Sequence, residues 1–197
     1  MILLCIVTIF SKSTTANADD RYVKLCERYF TEFAEDYGKF GQKDGFTYLY
    51  SDKKNTATIV AIPMEQKKVA VPEKINGKTV TKIELMDVFS CSSNYYFRDE
   101  FYGEHEDNPV PKVEYLSIPK TVKVINIYAG IGLTEGYCGE LQSYLVHLKK
   151  FNVASANKWY RSYKGMLYTK NGKKLLLVPR KYMAKTVKVK KGTTKIA

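Results

Sequence analysis

The sequence predicts a solenoid, a fold in which short repeats stack along one axis, because one short motif occurs three times. Each copy has two apolar residues spaced two apart, which predicts a short strand with one inward face, and an Ile follows later after a turn. The copies begin at 69–72, 116–119 and 187–190 and end at 80–83, 122–125 and 193–196. Repeat arrays mostly present extended binding surfaces, so the motif argues against a single catalytic cleft.

The first 18 residues predict a secretory signal peptide. Residues 1–10 form an apolar run too short to span a bilayer, and Ala16 and Ala18 form an Ala-x-Ala cleavage site. We expect cleavage after Ala18 and an exported chain without a membrane span.

Residues 19–41 predict an N-terminal helix that ends near Gly38 and Gly41. Its apolar residues recur at the spacing of one helical face. They are Tyr22, Leu25, Cys26, Tyr29, Phe30, Phe33 and Tyr37. A solenoid needs its first coil covered, so we interpret this amphipathic helix as a cap, with a partner-binding helix as the alternative.

Residues 42–197 form the predicted repeat domain. Apolar runs at 46–50 and 58–62 predict strands, and a third coil starts at 148–153. Asn76-Gly77 predicts a turn within the first repeat. Asn171-Gly172 separates two apolar strands and predicts a hairpin with a two-residue turn, in which both central residues take positive φ.

Two segments, 90–111 and 130–147, interrupt the repeat pattern as irregular insertions. A short helix is expected at 140–148. The first insertion contains Tyr96 and Phe97 within an unusually aromatic loop, and insertions in solenoids often lie on the binding face. At the other end, the third motif copy has no aromatic residue after Ile196, which predicts a bare edge or an array that continues in further repeats.

Positive charge is concentrated in the last quarter of the chain. The formal net charge is +12, and residues 148–197 contain fifteen Lys and Arg but no Asp or Glu. This asymmetry favours anionic partners. The alternative is that the lysines only keep exposed sheet surfaces soluble and block edge pairing.

Two longer stretches resemble the BspA-like leucine-rich repeat of bacterial surface proteins. Residues 71–83 resemble the opening repeat of that family, and 148–179 resemble its hairpin-bearing repeat, with Asn157, Tyr160 and Pro179 at matching positions. The resemblance covers 46–197 except for the insertions, and Lys190 stands where a Pro is expected. It implies a leucine-rich-repeat solenoid, a secreted or surface protein of bacteria that binds host or bacterial partners, and neither cofactor nor catalysis.

Residues that could carry catalysis are few. The histidines are His105 and His147, and no phosphate-binding loop, nucleophile elbow or zinc motif is present. Cys138 and His147 could form a nucleophile and base, but no nearby residue is placed to orient them. The cysteines lack Cys-x-x-Cys spacing, so buried thiols are the simplest interpretation, with one disulfide and a free thiol as the alternative.

The predicted binding residues combine exposed cations with aromatic anchors. Lys188, Lys190 and Lys195 alternate with Val187, Val189 and Ile196, which are expected to point inward. Trp159 and Tyr160 are candidate anchors, although Trp159 could instead pack under the neighbouring hairpin. Tyr96 and Phe97 complete the set.

The sequence therefore predicts a binding module rather than an enzyme. The expected partner is a host or bacterial surface protein, or an anionic cell-wall polymer or glycan. Nucleic acid is not expected for an exported chain, although it could use the same basic and aromatic surface. A structural repeat segment without its own ligand is the alternative, and a hydrolase is the third.

Overall fold

The computed structural model describes residues 39–85, 110–126 and 145–197, and this part of the chain contains thirteen β-strands and no helix. In chain order they are β1 Lys39–Lys43, β2 Phe46–Ser51, β3 Thr56–Ala61, β4 Lys68–Ala70, β5 Lys74–Ile75, β6 Lys78–Ile83, β7 Tyr115–Ile118, β8 Val124–Ile125, β9 Lys150–Val153, β10 Tyr160–Tyr163, β11 Met166–Thr169, β12 Lys174–Leu177 and β13 Lys195–Ile196. None of the described segments is a helix long and apolar enough to cross a membrane.

The first two motif copies and the third coil stack as predicted. Strands β4, β7 and β9 form a parallel sheet in which Val69, Leu116 and Phe151 lie side by side in register. These side chains are almost fully buried, because each coil covers the apolar face of the next. The predicted third coil at 148–153 is therefore confirmed.

The second half of each copy forms another parallel ladder. Strand β6 pairs with β3 on one side and with β8 on the other, and Ile83 lies opposite Ile125. Val80, Ile83, Val122 and Ile125 are buried, as the motif predicts. The two ladders thus place the inward residues of both motif halves in one core.

An antiparallel meander precedes the first coil. Strand β2 pairs with β1 and with β3, and Asp44-Gly45 forms the first turn with φ values of 51° and 79°. Asn76-Gly77 joins β5 to β6 with φ values of 44° and 77°, so the predicted turn is confirmed.

The C-terminal strands repeat the meander. Strands β10, β11 and β12 are antiparallel and β12 is parallel to β13, which is the same order of pairings as in β1, β2, β3 and β6. Lys164-Gly165 occupies the place of Asp44-Gly45, with φ values of 52° and 86°. This internal duplication of a hairpin-bearing unit was not among the sequence predictions.

The predicted hairpin around Asn171-Gly172 forms, but its turn is longer than two residues. Of the two, only Gly172 has a positive φ, at 72°. The side-chain oxygen of Asn171 accepts hydrogen bonds from the Lys173 amide and the Thr169 hydroxyl, at 3.0 and 2.8 Å. Those bonds stabilise a wider loop between β11 and β12.

The third motif copy does not bury its apolar residues as predicted. Val187, Val189 and Ile196 are 49%, 45% and 71% exposed, and residues 187–189 form no strand. The third place in the stack is taken by β9, where the Phe151 amide donates to the Gly165 carbonyl at 2.8 Å. Within the described residues, no further coil covers Val187 and Val189.

Several predicted segments fall outside the described ranges. The signal peptide lies there, as do residues 19–38 of the predicted cap, whereas 39–41 belong to β1. Most of the two insertions also falls outside. Residues 145–148, at the end of the short helix expected at 140–148, form a turn closed by the Leu148 amide and the Leu145 carbonyl.

Candidate binding surfaces

A cationic groove of about 310 Å³ lies where β7, the start of β9, the β10–β11 turn and residues 182–184 meet. We call it the tyrosine–lysine groove. Its lining residues are Tyr115, Lys149, Lys150, Lys164, Tyr182, Met183 and Ala184. Pairing of β7 with β9 places Tyr115 opposite Lys150. The groove therefore exists only because separate coils stack in register.

Glycine at position 165 allows the hairpin to approach Lys150. The φ of Gly165 is +86°, which is unfavourable for other residues. A Cβ at this position would lie 2.9 Å from Cγ of Lys150, so the lysine stem packs on the glycine. Lys164, the preceding turn residue, places its ammonium 5.7 Å from the centre of the Tyr163 ring.

Charges in the groove are only partly neutralised. Lys149 forms an ion pair with Glu114 at 2.8 Å. This hydrogen-bonded pair raises the pKa of Lys149 and lowers the pKa of Glu114. Neither Lys150 nor Lys164 has a carboxylate partner within the described part of the chain. An anionic ligand would thus meet two ammonium groups that are not already paired.

The three predicted lysines do not line this groove. Lys188 and Lys195 are exposed, and Lys195 lies in β13 opposite Lys174. Lys190 has a structural role, since its amide donates to the Tyr168 hydroxyl at 3.1 Å and its stem packs against Gly172. The lysines that the groove brings together come from β9 and from the β10–β11 turn.

The two predicted anchors have different surroundings. The Trp159 side chain is 38% exposed, and the Lys123 ammonium lies 5.5 Å from its ring centre. Tyr160 packs against the main core, and its hydroxyl accepts a hydrogen bond from the Ile125 amide at 3.0 Å. Tyr160 therefore helps to hold β8, whereas Trp159 offers an aromatic surface.

The remaining candidates cannot be placed together. Tyr96, Phe97, His105 and Cys138 lie outside the described ranges. His147 is exposed. No group of three or more metal-ligating side chains occurs within 39–85, 110–126 and 145–197.

A second cavity, of about 410 Å³, lies on the N-terminal meander, and we call it the meander pocket. Its lining residues are Phe40, Gly41, Gln42, Tyr48, Tyr50, Asp52, Asn76 and Lys78. Asp52 forms ion pairs with Lys39 and Lys78, at 2.7 and 2.8 Å. Hydrogen bonds from these two ammonium groups lower the pKa of Asp52 to about 2.

Sequence reasoning missed both cavities. Their residues come from separate segments that meet only through strand pairing, and no short motif links them. The sole local signal is Tyr48 and Tyr50, which are two residues apart on β2 and lie with ring centres 5.9 Å apart.

The chain matches no protein-family model, and the curated proteins contain no significant match. Two solved bacterial structures are similar to it. A leucine-rich repeat protein from Eubacterium ventriosum shares 20% identity, with a TM-score of 0.38, over 66% of this chain and 25% of its own length. The pneumococcal vaccine antigen PcpA shares 16% identity, with a TM-score of 0.31, over 81% of this chain and 61% of its own length. This chain therefore spans about a quarter of the Eubacterium ventriosum protein and about three fifths of PcpA. The repeat architecture rests on the strand pairing described above.

Proposed function

We propose that this chain is a leucine-rich-repeat binding module of a secreted or surface-displayed bacterial protein, and that its tyrosine–lysine groove captures anionic groups. The partner would be an anionic cell-wall polymer or glycan, or an acidic patch on a host or bacterial surface protein. The supporting observation is the groove itself, in which Lys150 and Lys164 lie beside Tyr115 and Tyr182 without carboxylate partners in the described chain. The proposal contains no catalytic step and no cofactor.

The residues of the groove are suited to bind a polymer that carries repeated anionic groups. Ammonium groups release condensed counterions when they neutralise a polyanion, so affinity falls as salt rises. Tyrosine rings add amphipathic contact area beside the charges. The absence of acidic residues from 148–197 leaves a wide basic surface around the groove, which would attract such a polymer before contact.

The resemblance of 71–83 and 148–179 to BspA-like repeats supports the finer assignment. That family consists of bacterial surface and secreted proteins, and the predicted signal peptide at 1–18 agrees with export. Nucleic acid would meet the same charges, but it is not the partner we propose for an exported chain.

A structural role is the second candidate, and the exposed apolar side chains of Val187, Val189 and Ile196 favour it. A neighbouring repeat or chain packed on them would bury this surface without any ligand in the groove. In that case the lysines of the groove would serve solubility alone.

The test compares binding of the purified protein to dextran sulfate and to uncharged dextran at low and high salt. Lys150→Gln/Lys164→Gln changes the groove, and Lys53→Gln/Lys54→Gln removes the same charge from the exposed β2–β3 turn. We expect binding to dextran sulfate alone, weakened by salt, with about a tenfold loss in the groove variant and little loss in the turn variant. Equal affinities for the two variants, or no binding to the sulfated polymer, would refute the assignment of the groove.

A further inference from the structure

We propose that the meander pocket is a second binding site, which takes an uncharged sugar ring. The site is separate from the tyrosine–lysine groove and does not depend on the function proposed for it. Its volume of about 410 Å³ falls within the range of roughly 300–1,000 Å³ typical of small-molecule sites. The walls carry aromatic rings and planar polar groups from β1, β2 and the β5–β6 turn.

The charge of the lining favours an uncharged ligand. One carboxylate, Asp52, and one ammonium, Lys78, line the pocket, and they already pair with each other at 2.8 Å. Lys39 pairs with the other carboxylate oxygen at 2.7 Å. The ion pairs orient the carboxylate, and its remaining lone pairs can accept hydrogen bonds from hydroxyl groups.

Gln42 supplies the observation that structural packing leaves unexplained. Its side-chain nitrogen Nε2 is buried and has no hydrogen-bond partner among the residues that the structure describes. Buried amide groups almost always have partners, so an unpaired donor in a pocket wall calls for a reason. Gln42 lines the pocket, and the terminal torsion of a Gln side chain is broad, so rotation of the amide can bring this donor to a ligand oxygen.

Aromatic and amide groups complete the lining. Tyr48 is buried, and it packs so closely on Gly41 that a Cβ there would lie 2.5 Å from its ring. The Asn76 amide donates to the Tyr48 hydroxyl, which orients the exposed amide at the rim of the pocket. Tyr50 is half-buried beside them and adds ring surface.

A sugar ring matches this arrangement of groups. Its hydroxyls both donate and accept hydrogen bonds, and its C–H faces pack on aromatic rings. Gln42 and Asn76 can donate to such hydroxyls, while Asp52 can accept from them. A purely apolar ligand would leave the Gln42 amide without a partner, and an anion would lie next to the Asp52 carboxylate.

The experiment screens an array of uncharged mono- to tetrasaccharides, with sialylated and sulfated glycans as the charged arm. Hits are titrated while the NMR signals of the side-chain amides of Gln42 and Asn76 are followed. Gln42→Leu removes the donor from the pocket, and Gln66→Leu makes the same change at an exposed position outside it.

We expect one or more uncharged glycans to bind and to shift both amide signals. Gln42→Leu should lower affinity about tenfold without lowering the melting temperature, whereas Gln66→Leu should bind as the wild type does. Lys150→Gln/Lys164→Gln should leave this binding unchanged, which separates it from the groove. Binding of charged glycans alone, no binding at all, or unchanged affinity in Gln42→Leu would overturn the proposal.

Discussion

The side-chain amide of Asn157 donates a hydrogen bond to the backbone carbonyl of Val122 at 2.9 Å and so joins the third coil to the second. The same nitrogen donates to the Pro119 carbonyl at 2.8 Å. Its side-chain oxygen accepts from the amides of Trp159 and Tyr160, each at 2.8 Å. Asn157 is fully buried, so one side chain satisfies four backbone groups at the start of the C-terminal hairpin.

Replacing Asn157 should therefore destabilise the whole array. In Asn157→Ala, two backbone donors and two carbonyls lose their partners in a buried site, and we expect the free energy of unfolding to fall by about 3 kcal/mol. Urea unfolding measures this loss. Asn152→Ala, at an exposed position of β9, is the control and should change it by less than about 0.5 kcal/mol. Equal effects of the two substitutions would contradict the role of Asn157.

Asn157→Asp should make stability depend on pH. An ionised carboxylate would face the carbonyls of Pro119 and Val122 without a proton to donate, and burial would raise its pKa above that of the unfolded chain. A raised folded-state pKa means that the folded form binds the proton more tightly, so the variant should become more stable as pH falls. Urea unfolding from pH 8 to pH 4 tests this. A variant whose deficit stays constant over that range would show that the carboxylate is not buried.

Tyr168 should contribute a smaller, measurable amount through its hydroxyl. The ring is fully buried, and the hydroxyl accepts a hydrogen bond from the Lys190 amide at 3.1 Å. This bond connects β11 to the third motif copy at 187–196. We expect Tyr168→Phe to cost about 1 kcal/mol in thermal or urea unfolding. Tyr163→Phe, on the neighbouring strand, is the control, since no hydrogen bond of its hydroxyl occurs within the described residues. If Tyr168→Phe lowers the free energy of unfolding no more than the control does, the hydrogen bond from the Lys190 amide does not contribute to stability.

The stacked coils could be predicted because their signal is local. Period-two apolar residues, as at Leu116 and Ile118, specify one inward face, and the repetition of the motif specifies that the faces stack. The same pattern gave a wrong prediction for Val187 and Val189, which are exposed rather than buried. Alternation indicates which residues share a face, but it does not indicate whether another coil covers that face.

Features built across coils could not be predicted from the sequence. Asn157 was recognisable as part of a motif, but its four hydrogen bonds depend on where β7 and β8 lie. The groove needs Tyr115 opposite Lys150, and the meander pocket needs Asn76 beside Tyr48. These contacts depend on strand register and turn geometry, which a single sequence specifies only weakly at such separations.

Equivalent positions of the first and third motif copies should respond very differently to truncation. Val69 is buried in the main core, whereas Val187 is half-exposed. We expect Val69→Ala to lower the free energy of unfolding by about 2 kcal/mol, through lost burial and the cavity left behind. Val187→Ala should change it by less than about 0.5 kcal/mol. A large loss in Val187→Ala, measured by urea unfolding, would mean that this valine packs against other parts of the protein.

The ion pairs of Asp52 should stabilise the meander at neutral pH and fail in acid. The pKa of Asp52 is lowered from 3.8 to about 2 by hydrogen bonds to Lys39 and Lys78. A lowered folded-state pKa means that the contribution is fully present above the unfolded value and is lost as pH falls through the folded value. We therefore expect the stability difference between wild type and Asp52→Asn to be constant above about pH 5, to shrink below about pH 4 and to vanish only once the pH is below the folded-state pKa of about 2. Because the side chains of Asp52 and Lys39 are more than half exposed, added salt should reduce the difference above about pH 4. NMR titration of the Asp52 carboxyl gives its pKa directly, and urea unfolding gives the stability difference.

The control is Asp44→Asn, at a turn position that forms no ion pair within the described residues. A carboxyl that titrates near 3.8, with a difference independent of pH, would show that these ion pairs do not persist in solution.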